Sequence, residues 1–373
     1  MVKKGKAAWL RPLLVSILAI LFGFVMGAFL LLASQANPLE CFLYLFQGGL
    51  STVTRLFNTF ANAIPLIFTG LSVTFAYKTG LFNIGATGQM MIAGLASVIV
   101  ALTLDAPRVI LMPAVVLAGL LAGAIWGGIQ GLLKSRFNVN EVVSGIMMNW
   151  IAHWSVYYIV SDFFQSPSML TESQTIPDAA SLRSPWLYEL TGSSSFNWAF
   201  VIALASVLFV QFLLKYTVTG YNMKAVGFNA EAAEYGGISV GRNTVLAMAI
   251  AGALAGLAGV AYYCGYSSSI RIGVQPSQGF DGIAVALLGN LSPVGVIFAA
   301  IFFAILQTGK GFMNAMIHVA PEIADTIIAI IIYFAAISKL VDLYFDRLSA
   351  WVKRRRQRAK AGKTPGERGG EVQ

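Results

Sequence analysis

Amide side chains are the groups in this sequence best placed to do chemistry. Asn83 and Gln89, with Thr87 between them, fall in the stretch GLFNIGATGQ (80–89), where Gly80, Gly85 and Gly88 permit a broken or closely packed helix. Asn58 and Asn62 are four residues apart and share one helix face beside the helix-bending Pro65, and Asn149 adjoins Trp150. An amide carries donors and an acceptor on one small group, so such a set suits the binding of a polar, uncharged solute. An aromatic ring beside an amide extends this to a planar solute, one group stacking while the other reads an edge. The same residue types also tie neighbouring helices together, and residue type alone leaves both uses open.

Catalysis by the chain itself is not indicated. His153 and His318 lie on different stretches with no nucleophile motif beside them. Cys41 and Cys264 are too few for a disulfide scaffold or a four-thiolate metal site. No Gly-x-x-x-x-Gly-Lys-Ser/Thr phosphate loop occurs, so ATP is not held in that manner. Few ionisable residues fall within apolar stretches (Glu141, Asp281 and Asp325), and they form no clear proton relay, which weakens ion-coupled transport. The expectation is a component that is not an enzyme, with no cofactor of its own.

The elements that must position these amides are read from composition. The chain has 373 residues, of which 57% are apolar and 11% charged, whereas soluble domains carry roughly a quarter charged residues. Its solvent must largely be lipid. Stretches near 12–34, 53–76, 81–103, 109–132, 140–160, 198–214, 243–264, 293–308 and 322–341 approach the ~20 apolar residues that a membrane helix needs. The first is read as an uncleaved span rather than a signal peptide, because its apolar run is too long for one. GFDGIAVALLGN (279–290) is apolar after Asp281 but short, and is read as a short crossing.

That gives an all-α polytopic membrane protein with about ten transmembrane crossings, one of them a short helix. With both ends cytoplasmic, all but Arg55, Arg108, Arg183, Arg271 and Lys310 of the 25 Lys and Arg fall inside. Asp162, Glu172, Asp178 and Glu189 then share one external loop, 161–197. Residues 1–352 are expected to form a single membrane domain, and 353–373 a basic, disordered cytoplasmic tail. The tail's Lys353, Arg354, Arg355, Arg356, Arg358 and Lys360 are read as a topology anchor that attracts anionic membrane lipid, not as a nucleic-acid site.

The longest internal loop, 216–242, contains GYNMKAVGFNAEAAEYGGISVGRN (220–243). Asn229 is positioned to cap a short helix over 230–235, which Gly236 and Gly237 would end. So short a helix cannot stand alone, and it implies a partner or firm packing. After the loop, Gly252, Gly256 and Gly259 with intervening alanines offer small-residue faces for close helix contact.

The segment 80–89 with the following MMIAGLA, the 220–243 loop, AGALAGLAGVAYY, and GFDGIAVALLGNLSPVGVIFAAIFFAILQTG together resemble permease subunits of bacterial ABC importers. Within these, the simple-sugar and nucleoside branch is most similar, and FNIGATGQM points to its nucleoside permeases. The resemblance spans about residues 50–340 and implies a vitamin-B12-importer-like permease fold in the bacterial plasma membrane.

It also implies a cytoplasmic ATPase partner holding ATP and Mg, a second permease that is identical or similar, an external solute-binding protein or lipoprotein, and a nucleoside substrate. A simple-sugar permease of the ribose or galactose type is the alternative, and a proton-coupled secondary transporter a more distant one. By the resemblance, Asn229, Glu231, Ala232, Ala233, Gly236 and Gly237 belong to the region that docks into the ATPase, and 80–89 lies beside the translocation path. The candidate path residues are then Asn58, Asn62, Asn83, Thr87, Gln89, Asn149 and Trp150. Thr87 stands where an acidic residue is common in that motif.

Overall fold

The computed structural model describes residues 10–320, 322–331 and 333–334. Among them the chain is helical, and β pairing is limited to two isolated bridges, Gln165 with Ser173 and Glu172 with Arg271. The helices are α1 (Leu10–Ala33), α2 (Pro38–Leu50), α3 (Val53–Lys78), α4 (Ala86–Thr103), α5 (Arg108–Phe137), α6 (Glu141–Phe163) and α7 (Pro185–Leu190). There follow α8 (Ala199–Tyr216), α9 (Val218–Phe228), α10 (Ala230–Tyr235), α11 (Val240–Val260), α12 (Gln278–Leu288) and α13 (Pro293–Ile317). A π-helical turn, Ala261–Ser267, continues α11.

Among the described residues six helices are long and apolar enough to cross a membrane: α3, α4, α5, α8, α11 with its π turn, and α13. A seventh is added if α1 and α2, bent by 119° where they meet, count as one span. The expected ten are therefore met only in part. Helix α6 is long, but Glu141, Ser144, Asn149 and His153 dilute its apolar character. Helix α12 is short, as anticipated, with Gly289 and Asn290 ending it. The last expected span is helical over 322–331, and the rest of it lies largely outside the described residues, as does the basic tail.

Helix α2 was not anticipated. Its start is local chemistry: the Asn37 side chain accepts a hydrogen bond from the Leu39 amide at 3.1 Å, and Pro38 takes the first helical position. The π turn and α9 were not anticipated either.

Helix α3 is the centre of the molecule. Within its most apolar window 89% of the residues are buried, against 22% for α5, so α3 is enclosed by protein while α5 turns most of its surface outward. That outward face carries Leu117, Leu121, Ile125 and Ile129 at helical spacing. The inward edge of α5 is a row of glycines, Gly119, Gly123, Gly127 and Gly131, packed on α11. A β-carbon on Gly252 would collide with the Gly123 carbonyl, and one on Gly256 with Gly119. Without side chains between them the backbones approach closely, and dispersion contacts replace the hydrophobic drive that is absent in lipid. Gly259 makes the same approach to Met90 of α4.

The 161–197 segment is firmly held. Arg108 donates to the carbonyls of Ser181 (3.2 Å) and Arg183, and Arg183 in turn donates to those of Gly265 (2.7 Å) and Tyr266. Glu172 pairs with Arg271 at 3.3 Å and accepts from Ser269 at 2.7 Å. The basic residues expected outside therefore have definite tertiary partners. Lys310 pairs with Asp325 at 2.7 Å, and the Arg55 guanidinium lies 3.9 Å over the Phe312 ring.

Candidate functional site

Between α3 and α4 the chain leaves helical geometry while still inside the protein. Gly80 follows α3 with φ +77°, which a glycine adopts without strain, and residues 81–85 are non-helical before Ala86 starts α4. Such a break frees backbone polar groups that lipid cannot satisfy, so protein must. Asn149 of α6 supplies two partners: its Oδ1 accepts from the Gly88 amide at 2.8 Å, and its Nδ2 donates to the Ile84 carbonyl at 3.0 Å. Gly88 is bare because a β-carbon there would press on Asn149 itself.

The other amides join this bracket into a network. Asn83 Nδ2 donates to Ser72 Oγ and to Gln89 Oε1, both at 2.8 Å, and Gln89 Nε2 returns a bond to Asn83 Oδ1 at 3.1 Å. Gln89 also donates to Gln130 Oε1 at 3.2 Å, and Gln130 donates to the Glu141 carbonyl at 2.8 Å. Ser72 closes the chain on the Ala251 carbonyl at 2.6 Å. Five helices, α3, α4, α5, α6 and α11, are thereby tied to the break, and Asn83 and Gln89 are fully buried. Ser72 and Gln130 were not singled out from sequence; each lies in a largely apolar run, and only the fold shows what it meets.

Thr87 is also fully buried and lies against Gly279 of α12; its hydroxyl has no hydrogen-bond partner among the described residues. Trp150 does not join Asn149. Adjacent residues on a helix point about 100° apart. Asn149 is 3% exposed, whereas Trp150 is 52% exposed in an apolar groove with Trp154 and Tyr158.

Asn58 and Asn62 form a separate group on α3. Asn58 Oδ1 accepts from the Ser195 amide at 2.8 Å, and Asn62 Nδ2 donates to Thr308 Oγ1 of α13 at 2.9 Å. Both remain partly exposed.

The 216–242 loop is two helices. The Asn229 side chain accepts from the Ala232 amide at 2.9 Å and starts α10, with Glu231 in its first turn. Gly236 follows its last residue, and Gly237 takes φ +79°. Ala233 is buried against the body, whereas Glu231, Glu234 and Tyr235 face outward around a shallow cavity. Helix α9 reaches back to the helix break: Gly227 and Gly80 meet with no room for a side chain on either. A cleft of about 480 Å³ beside this contact is bordered by Lys78, Lys224 and Glu141.

Residues 55–336 match a family model described as the permease component of the branched-chain amino acid transport system. The chain belongs to this permease family. It is 38% identical to a nucleoside ABC transporter permease of Lactococcus lactis, over 91% of this chain and 95% of that one. It is also 38% identical to a guanosine ABC transporter permease of Bacillus subtilis, over 91% and 97%. A glucose ABC transporter permease of Haloferax volcanii is 30% identical over 89% and 90%. No solved structure matches the chain. The permease is thus a multi-pass membrane transport component, and the helix break and the α9–α10 element both lie inside the matched region.

Proposed function

We propose that the chain is the permease subunit of an ATP-driven importer that moves nucleosides across the plasma membrane, working with a separate ATPase. The observation that carries this is the 38% identity, over 91% of the chain, to two permeases named for nucleoside and guanosine transport. In this reading a second permease completes the path, an external binding protein or lipoprotein delivers the solute, and ATP with Mg stays on the ATPase. About ten crossings in a vitamin-B12-importer-like arrangement, with both termini cytoplasmic, is the topology that goes with it.

The geometry supports a mechanical role for α9 and α10. Exposed Glu231, Glu234 and Tyr235 offer the ATPase a docking face, while Ala233 anchors the other side. Movement of α10 reaches the helix break through the Gly227–Gly80 contact, and from there the amide network carries it into five helices. Close-packed contacts of this kind switch between discrete arrangements rather than deform smoothly. Asn83, Gln89, Thr87 and Asn149 then fix the wall beside the path, and Asn58 and Asn62 offer weak polar contacts within it.

The test is uptake of radiolabelled guanosine, adenosine, uridine and ribose with the ATPase intact or inactivated. Nucleoside uptake that needs both proteins is expected. Ribose uptake alone moves the substrate to sugars, the reading favoured by the glucose relative. Uptake indifferent to the ATPase overturns the coupling. Glu231→Trp is expected to abolish uptake at unchanged membrane level, because its side chain faces outward from α10.

A further inference from the structure

Besides the buried amide network, a smaller set of polar groups within the helical body is left partly open. The open set lies where α12 meets α13. Asp281 accepts hydrogen bonds from Gln307 Nε2 at 2.9 Å and from the Ser277 side chain, and its carboxylate has further acceptor capacity. Gln278 lies three residues earlier, on the same face of α12, and its Oε1 is buried without a hydrogen-bond partner among the described residues. Thr308, the neighbour of Gln307, holds Asn62. Asp281, Gln307, Thr308 and Asn62 are all partly exposed.

A carboxylate among membrane helices is costly and is ordinarily paired with a cation. Lys310 is near but engaged with Asp325 at 2.7 Å, so the hydrogen-bond partners of Asp281 are both neutral, the Ser277 hydroxyl and the Gln307 amide. Its place in the first turn of α12 gives a modest dipole benefit, smaller than the cost of burying the charge. Helix geometry alone does not account for it. A carboxylate beside an amide matches a neutral solute with adjacent hydroxyls: the carboxylate accepts from them, and the amides supply a donor and a second acceptor. We propose that Asp281, with Gln278 and Gln307 beside it, is a recognition point for the ribose hydroxyls of the transported nucleoside. This rests on the nucleoside-permease reading.

The test uses the whole transporter in cells without other nucleoside uptake, comparing initial rates for uridine and 2′,3′-dideoxyuridine in wild type and Asp281→Asn. The external binding protein is the same in both strains, so any change in the ratio of the two rates belongs to this chain. The expected result is a fall in uridine uptake of about tenfold or more, as for loss of one hydrogen bond to a charged group, with dideoxyuridine little changed. Rates are compared per copy of the transporter in the membrane. An unchanged ratio overturns the proposal, whatever happens to the overall rate. If Asp281→Asn does not reach the membrane, Gln307→Met is read in the same way, and an unchanged ratio there is equally decisive. Absence of nucleoside uptake in wild type instead defeats the parent reading, and this proposal with it.

Discussion

The amide network around the α3–α4 break and the polar groove where α13 meets α3 and α12 use similar residue types to opposite ends. In the first, Asn83, Gln89, Gln130 and Asn149 are almost wholly buried, and each bonds another protein group. In the second, Asn62, Asp281, Gln307 and Thr308 keep partial exposure, and Asp281 retains acceptor capacity. A buried amide with every partner in place rigidifies, because leaving any one of them unpaired in low dielectric is expensive. A half-open one can exchange its protein partner for a solute at small cost. Polarity within a membrane protein thus marks a site only when it is left incomplete.

The largest expected effect that would break this comparison is in the network. Gln89→Leu leaves Asn83 Oδ1 and Gln130 Oε1 without a donor in a dry interior, and should cost about 3 kcal/mol at 1–3 per orphaned group. Thermal unfolding of the detergent-purified protein would show it; a variant as stable as wild type would mean that the network is not a structural tie.

Gly279→Ala probes the junction of the two regions, since the new methyl group would press on Thr87. Overpacking there should cost about 2 kcal/mol. The same melting measurement reads it, and a neutral result would show that α12 moves independently of the break.

The smallest effect belongs to the groove. Thr308→Val removes the partner of a partly exposed Asn62 that water or solute can still reach, and stability should change by less than about 1 kcal/mol. A double-mutant cycle sharpens the contrast. Asn83 and Gln89 should show a coupling above about 1 kcal/mol, and Asn62 with Thr308 well under that.

Much of the working element was legible locally. Asn229, with an acidic residue two positions on and a glycine pair after the turn, marks the two ends of a short helix, and α10 forms over Ala230–Tyr235 as expected. The break at 80–85 was legible too, since clustered glycines and amides in an apolar run disfavour a continuous helix. Close packing through Gly252, Gly256 and Gly259 followed from size alone. Helix α9 was less visible: Gly220 and Gly227 obscure its period, and it forms because it packs between the loop and Gly80. The stretch 140–160 reads as a span, and α6 forms over Glu141–Phe163; Asn149 and His153 dilute its apolar character, and only the fold shows that both face protein.

The sequence by itself determined that this is a helical membrane protein, where α10 is capped, and that Gly252, Gly256 and Gly259 offer a face for close packing. These follow from composition, spacing and local backbone chemistry. Only the tertiary structure decided which amides are spent and which remain open. That depends on what each side chain meets across the bundle: Gln89 meets Asn83 and Gln130, whereas Asp281 meets a hydroxyl and an amide, both neutral, at a partly open edge. Residue type sets how many hydrogen bonds a group can make; the fold sets how many are left for a solute.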